Sequence, residues 1–136
     1  MSDILEGVPE SHRDLLRVPL TATLTTVDGQ NRPQSTAVWY LRDHGQLKGS
    51  ITSDRQKYTN LRRNPHCSLF IIDPENPYRT LEVRAEAELA PDPEKATVRL
   101  FASVYGIDES VLLGHEEDRY TVTFRPRRVI ANPRQS

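Results

Sequence analysis

The sequence predicts a mainly β protein, an antiparallel sheet that curls into a small barrel with two or three helices beside it. Three observations carry that prediction. About six stretches are rich in β-branched or alternating apolar residues, and most are joined by compact turn signals such as Asp28-Gly29 and Asp43-His44-Gly45. Strands and long helices do not alternate along the chain, which disfavours a doubly wound parallel sheet. The stretch from Leu81 to Leu89 alternates strictly. It places Leu81, Val83, Ala85, Ala87 and Leu89 on one face and Glu82, Arg84, Glu86 and Glu88 on the other. That is a strand with one wet side.

Taken in order, a short helix is expected between Pro9 and Val18, capped by Ser11, with Leu15 and Leu16 on its apolar side and Pro19 as its stop. Leu20 to Val27 follows as a Thr-rich strand. Ser35 to Leu41 is the second strand, and Gln46 to Thr52 completes a three-stranded meander. Asp54 to Asn64 has no β alternation, carries Ser53 or Asp54 as a cap and ends at Pro65, as a helix should. Cys67 to Ile72 is an apolar run short enough for a buried strand. The loop Asp73-Pro-Glu-Asn-Pro77 cannot continue it. After the alternating strand, Pro93 to Tyr105 reads as a helix facing Val98, Phe101 and Ala102 inward. Tyr120 to Phe124 and Val129-Ile130 supply a final strand bent at Pro126.

Composition narrows the function. With 136 residues, 36% hydrophobic and 27% charged, the chain reads as one domain over 1–136 that buries a core without disulfides. Eighteen basic against nineteen acidic residues leave a net charge of −1, so no global field favours nucleic acid or a membrane surface. An aromatic content of 7% also counts against stacking single-stranded nucleic acid. No run approaches the roughly 18 apolar residues of a membrane span. The N-terminal MSDILEGVPE is acidic and lacks the basic start of a secretory signal, so a cytoplasmic location is expected. A lone cysteine, Cys67, forms no internal disulfide and sits in an apolar strand where a thiol is inert packing.

The common catalytic motifs are absent. His12, His44, His66 and His115 are far apart with no second ligand at helical spacing, so no metal site is expected. There is no nucleophile elbow and no glycine-rich nucleotide loop. Fifteen of the eighteen basic residues are arginine, and one basic segment stands out. It runs from Gly49 to Pro65, where hydroxyls at Ser50, Thr52 and Ser53 end a strand and a helix begins at once with Arg55 and Lys57 in its first turn. A helix start favours an anion, and cations there oppose the dipole. Two readings stay open at this point: a phosphate held between those cations, or a solvated basic face. Trp39 and Tyr40 are adjacent on a strand, so one faces the core while the other is free to flank a ring system. Tyr78 and Arg79 follow the two-proline loop, a place for a ligand contact or for a pinned surface turn.

Several motifs occur in a fixed order: A-x-L-x-T-x-D-G, P-x-x-x-x-V-W, S-x-T-x-x-R-x-K-x-x-N-L-x-R-x-P, D-P-x-N-P-Y-R and E-V-R-A-x-A-E. Together, from about Leu20 to Glu88, they resemble the pyridoxamine 5'-phosphate oxidase-like split β-barrel proteins, and within them the actinobacterial branch that uses the deazaflavin coenzyme F-420. The resemblance implies an antiparallel split β-barrel that forms a homodimer with cofactor sites at the subunit interface. It implies that Ser50, Thr52, Arg55 and Lys57 hold the cofactor phosphate, with Asn60 nearby. Gln34, Val38 and Trp39 would line the ring system, and Tyr78 and Arg79 would lie near the site. Thr59 stands where many relatives carry a basic residue, which removes one expected tail contact.

The activity so implied is F-420-dependent hydride transfer to or from a small unsaturated or quinone-like substrate. Because the cofactor carries that chemistry, the lack of an acid–base pair or nucleophile is consistent with it, and no catalytic side chain is assigned. The alternatives are an FMN-binding protein of the same fold, since FMN brings a phosphate to the same place, or a flavin or deazaflavin carrier without turnover.

Overall fold

The structure, a computed structural model, describes residues 3–113 and 118–133. Seven strands make one antiparallel sheet: β1 (Thr21–Val27), β2 (Pro33–Trp39), β3 (Leu41–Asp43), β4 (Gln46–Thr52), β5 (His66–Asp73), β6 (Asn76–Pro91) and β7 (Arg119–Asn132). Their order in the sheet is β2-β1-β5-β6-β7-β4-β3. Three helices complete the fold: α1 (Gln56–Arg63), α2 (Ala96–Tyr105) and α3 (Ser110–Leu113). The expected antiparallel, curled, mainly β architecture is present.

Alternation on β6 builds the core. Leu81 and Val83 are fully buried, and they pair across to Ile71 and Leu69 of β5, which are equally buried. Leu24, Leu47 and Val122 close the same cluster from β1, β4 and β7. Each such side chain contributes roughly 1.5–3 kcal/mol on leaving water. Ile4, Leu5, Val8, Leu15 and Leu16 from the N-terminal segment seal the cluster.

The expected meander is replaced by a switch. The predicted second strand breaks at Tyr40, so that β2 pairs with β1 while β3 pairs with β4 at the opposite end of the sheet. The break is fixed by burial. Tyr40 is 1% exposed, its hydroxyl donates to Leu15 O (2.6 Å) and its backbone N–H donates to the Tyr105 hydroxyl (3.0 Å). An aromatic turned inward here ends one pairing and starts another. The sheet then curls until β2 and β4 approach each other without forming a ladder. Gly49 of β4 permits close packing near this seam, because a Cβ there would sit 3.2 Å from the Phe124 ring.

Local expectations were corrected elsewhere. The N-terminal helix is instead a pair of 3-10 segments, Ile4–Gly7 and Glu10–Leu16. Pro9, not Ser11, is the residue before the second segment, and Ser11 bonds His12 Nδ1 (2.8 Å). The loop expected over residues 73–77 is a tight hairpin turn, with β5 ending at Asp73 and β6 starting at Asn76. Asp73 accepts from Glu75 N–H (2.9 Å), and Pro74 presets the turn. Strand pairing shifts register beside Asp73, and Tyr78 stands out at 84% exposure. The bend foreseen at Pro126 is a register shift between β6 and β7. Helix α2 starts at Ala96 rather than near Pro93, because buried Asp92 caps it by accepting from Ala96 and Thr97 N–H (3.0 and 3.2 Å). It ends at Gly106 in the left-handed region (φ 67°). Helix α3 had no sequence signal.

Candidate functional site at the β2–β4 seam

Where β2 and β4 face each other across the seam, a cavity of about 370 Å³ opens between Thr36 and Ala37 of β2, Ser50 and Thr52 of β4, the start of α1, and Arg119 of β7. An adjoining space of about 170 Å³ shares Ala37, Ser50, Lys57 and Arg119, and is walled by Val38, Trp39, Val98, Phe101 and Leu112. One end is hydroxylic and cationic. The other is apolar and aromatic.

The cationic end begins where β4 runs into α1. Arg55, not Ser53 or Asp54, is the residue before the helix, and no side chain caps it. Asp54 instead accepts from Thr52 Oγ1 (2.5 Å). Among the described residues Lys57, half-buried, reaches only Thr36 Oγ1, at 3.4 Å. Arg119 reaches Ser50 Oγ at 3.4 Å and Leu112 O at 3.0 Å. Contacts of 3.4 Å are weak. Among the described residues, neither Lys57 nor Arg119 has a salt bridge, although Asp54 lies in the lining. Burial, then the nearby Arg55, pushes the Lys57 ammonium below its ordinary value. The same two causes lower Arg119, against opposition from Asp92 and Asp54. Partly buried cations without counter-charge are costly, and an anion between them removes that cost.

The aromatic end is held from behind. Trp39 stacks on Tyr105 with centroids 4.4 Å apart and planes 12° apart, and Phe101 lies 5.9 Å beyond. The Tyr105 hydroxyl sits 2.7 Å from Leu20 O and 2.6 Å from Tyr40 O. Tyr40 is thus the core member of the Trp39–Tyr40 pair, and Trp39 is left half-buried at the cavity.

The structure brings Val38, Trp39, Ser50, Thr52, Arg55 and Lys57 together in the cavity lining. Gln34 and Asn60 stand behind it. Asn60 is 2% exposed, accepts from Gln56 Nε2 (2.8 Å), and donates to Thr26 Oγ1 (3.0 Å) and Gln34 Oε1 (3.4 Å). This buried amide network ties α1 to β1 and β2, and so aims Lys57. Tyr78 and Arg79 are not in this cavity within one chain. The Arg79 guanidinium is taken up by Asp14 (2.9 and 2.5 Å), Asp73 (2.9 Å) and Ser11 O (2.8 Å). These bonds raise its affinity for its proton and hold the Asp14 carboxyl below the usual range.

Sequence reasoning missed Phe101 and Val98 as walls, having placed them only in the core, and it missed Arg119 altogether. Arg119 was findable only through register, since it pairs with Thr52. A larger space of about 640 Å³ lies between the N-terminal segment and β4–β7 near Asp3, Glu6 and His44. Its one described arginine, Arg125, is paired with Glu88 (2.8 Å). No group of metal-binding side chains occurs among the described residues, and His115 lies outside them. Burial pushes the Cys67 thiol up to about 12, as an inert packing residue requires. No described helix is long and apolar enough to cross a membrane.

A sequence profile described as pyridoxamine 5'-phosphate oxidase matches residues 8–131. The chain belongs to that family. Among solved structures, an F420 reductase is similar to this pyridoxamine 5'-phosphate oxidase family member at 35% identity, over 90% of this chain and 98% of its own, with a TM-score of 0.79. A conserved hypothetical protein of Mycobacterium tuberculosis shares the fold at 22% identity and TM-score 0.73, over 100% of this chain and 96% of its own. The heme storage protein of Vibrio cholerae shares it at 18% identity and TM-score 0.69, over 96% and 95%. No curated protein matches the sequence. Family membership and the two-ended cavity agree on a flavin-type cofactor, a planar ring system with an anionic tail.

Proposed function

We propose that this protein is an F-420-dependent oxidoreductase that works as a homodimer on a small unsaturated or quinone-like substrate. The observation that carries the reading is the continuity of an aromatic wall with a cation–hydroxyl cluster in one seam. Similarity to an F420 reductase at 35% identity supports the choice of deazaflavin. When bound, the deazaflavin would supply hydride exchange at its C5.

The chain's own residues do the rest. Ser50, Arg55 and Lys57 hold the phosphate of the tail through charge-assisted hydrogen bonds, while Thr52, whose hydroxyl donates to Asp54, lines the cavity beside them. Trp39, Val38 and Phe101 give the ring an apolar wall and exclude water from one side of it. Asn60 keeps α1 in place so that Lys57 points into the seam. The ring would also contact the partner subunit, because the apolar space of about 170 Å³ in one chain is small for a tricyclic system. Exposed Tyr78 is free to serve that interface.

FMN is the second reading, supported by the family's description and by the same phosphate requirement. Heme has less support. Among the described residues no His, Cys or Met lines either part of the cavity, and the likeness to heme proteins is one of fold. The deciding experiment is a parallel titration of the purified protein with F-420, FMN and heme, followed by light scattering of the complex. Tightest binding of F-420 by a dimer is expected. Stoichiometric FMN on the purified protein would favour the second reading, and a monomer that binds cofactor fully would remove the dimer.

A further inference from the structure

We infer that Arg119 is a specificity-determining residue of the seam cavity, one that reads negative charge on the ligand's tail beyond what Arg55 and Lys57 meet. The inference rests on the cofactor reading above. Arg119 opens β7 directly opposite Thr52, and facing residues of an antiparallel pair share one side of the sheet. Ser50, two residues before Thr52, lies on that side as well. Pairing therefore delivers the guanidinium to the Ser50 hydroxyl, beside Thr52, from a point 62 residues beyond Lys57 in the chain.

Among the described residues, the Arg119 side chain is aimed but not consumed. One N–H donates to Leu112 O at 3.0 Å, which fixes the plane of the fork, and a second makes only the long contact to Ser50 Oγ. A guanidinium has five N–H donors, so donors remain for a ligand. Asp92, the nearby buried carboxylate, is engaged in capping α2 through Ala96 and Thr97 N–H. Among the described residues the cavity thus presents three cations, Arg55, Lys57 and Arg119, against one lining carboxylate, Asp54. A singly charged tail leaves that surplus unmet. A tail with two or more negative charges, such as a phosphomonoester or a phosphodiester followed by a carboxylate, meets it.

The test compares F-420 with the same deazaflavin riboside lacking the phosphate tail, by fluorescence titration of the full chain. The ratio of the two affinities measures tail recognition. Arg119→Gln should lower that ratio about tenfold or more, the effect of losing a charge-assisted bond. Arg119→Lys should restore it to within about threefold, since the charge returns without the fork. A ratio unchanged in Arg119→Gln, with Lys57→Ala lowering it, would overturn the role of Arg119 and leave the cofactor reading intact. A wild-type protein with no preference for the tailed compound would overturn the cofactor reading itself. A measurement independent of variant folding is displacement of F-420 from wild type by inorganic anions. Pyrophosphate should compete at concentrations at least about fivefold lower than phosphate, and equal potency would overturn the charge count.

Discussion

Arg79 and the Lys57–Arg119 pair are all cations on β strands or beside them, yet the fold treats them in opposite ways. Arg79 meets two carboxylates and a carbonyl, and so clamps the β5–β6 hairpin onto the second 3-10 segment. Lys57 and Arg119 face a cavity with weak contacts to hydroxyls, one Arg119 bond to Leu112 O and no described salt bridge. One cation is spent on the fold, and the others line the cavity without a described carboxylate partner. The difference shows that an arginine-rich sequence does not locate an anion site until each partner is known.

Substitutions test the contrast from both sides. Lys57→Ala should have the largest effect, a tenfold to hundredfold loss of cofactor affinity for a lost bond worth roughly 1.5–3 kcal/mol. Its melting temperature should hold or rise, because a desolvated cation beside Arg55 is relieved. Calorimetric titration and thermal melting on one sample read both quantities, and wild-type affinity would mean that the basic helix start is only a solvated face.

Asn60→Ala should cost about 1–3 kcal/mol of stability, since it leaves buried Thr26 and half-buried Gln34 without their amide partner. Affinity should fall only as far as Lys57 loses its aim. Denaturant unfolding beside titration separates the two, and an unchanged midpoint would dismiss the buried network as a support.

Arg79→Ala inverts the Lys57 pattern. The melting temperature should fall by a few degrees, with cofactor affinity within about twofold of wild type, a modest loss because the clamp is partly solvent-screened. A large affinity loss without destabilisation would put Arg79 in the site rather than in the frame.

The clamp also sets a pH dependence. Hydrogen bonding from Arg79 is the main cause that lowers the folded-state pKa of Asp14. Its stabilising contribution is therefore complete above the unfolded value of about 3.9 and is lost as pH falls through the folded one. The gap in melting temperature between wild type and Arg79→Ala should close below about pH 4, and a gap that widens there would refute the linkage. Thr59→Lys should have the smallest effect. A single exposed positive charge on α1 should raise cofactor affinity by less than about threefold, an increase that added salt removes.

Much of the frame was legible from the chain alone. Period-two alternation over Leu81–Leu89 fixes which face of β6 is buried, because a one-residue slip would turn every apolar side chain to water. Asp28-Gly29 and the hydroxyl-to-basic passage from Ser50 to Lys57 are local signals, and the structure keeps their elements nearly in place. Signals that depend on a distant partner were not legible. Nothing near Tyr40 states that its hydroxyl will find Leu15, so the strand break and the resulting seam between β2 and β4 were invisible. Arg79 reads the same in sequence whether it meets Asp14 or a phosphate. Arg119 lies far along the chain from Thr52, and only β4–β7 register unites them. The sequence by itself determined the strands, the antiparallel class and the basic start of α1, because these follow from periodicity and neighbouring residues. Tertiary structure decided which cations are neutralised and which face the cavity, because charge pairing depends on distances that only the curled sheet sets.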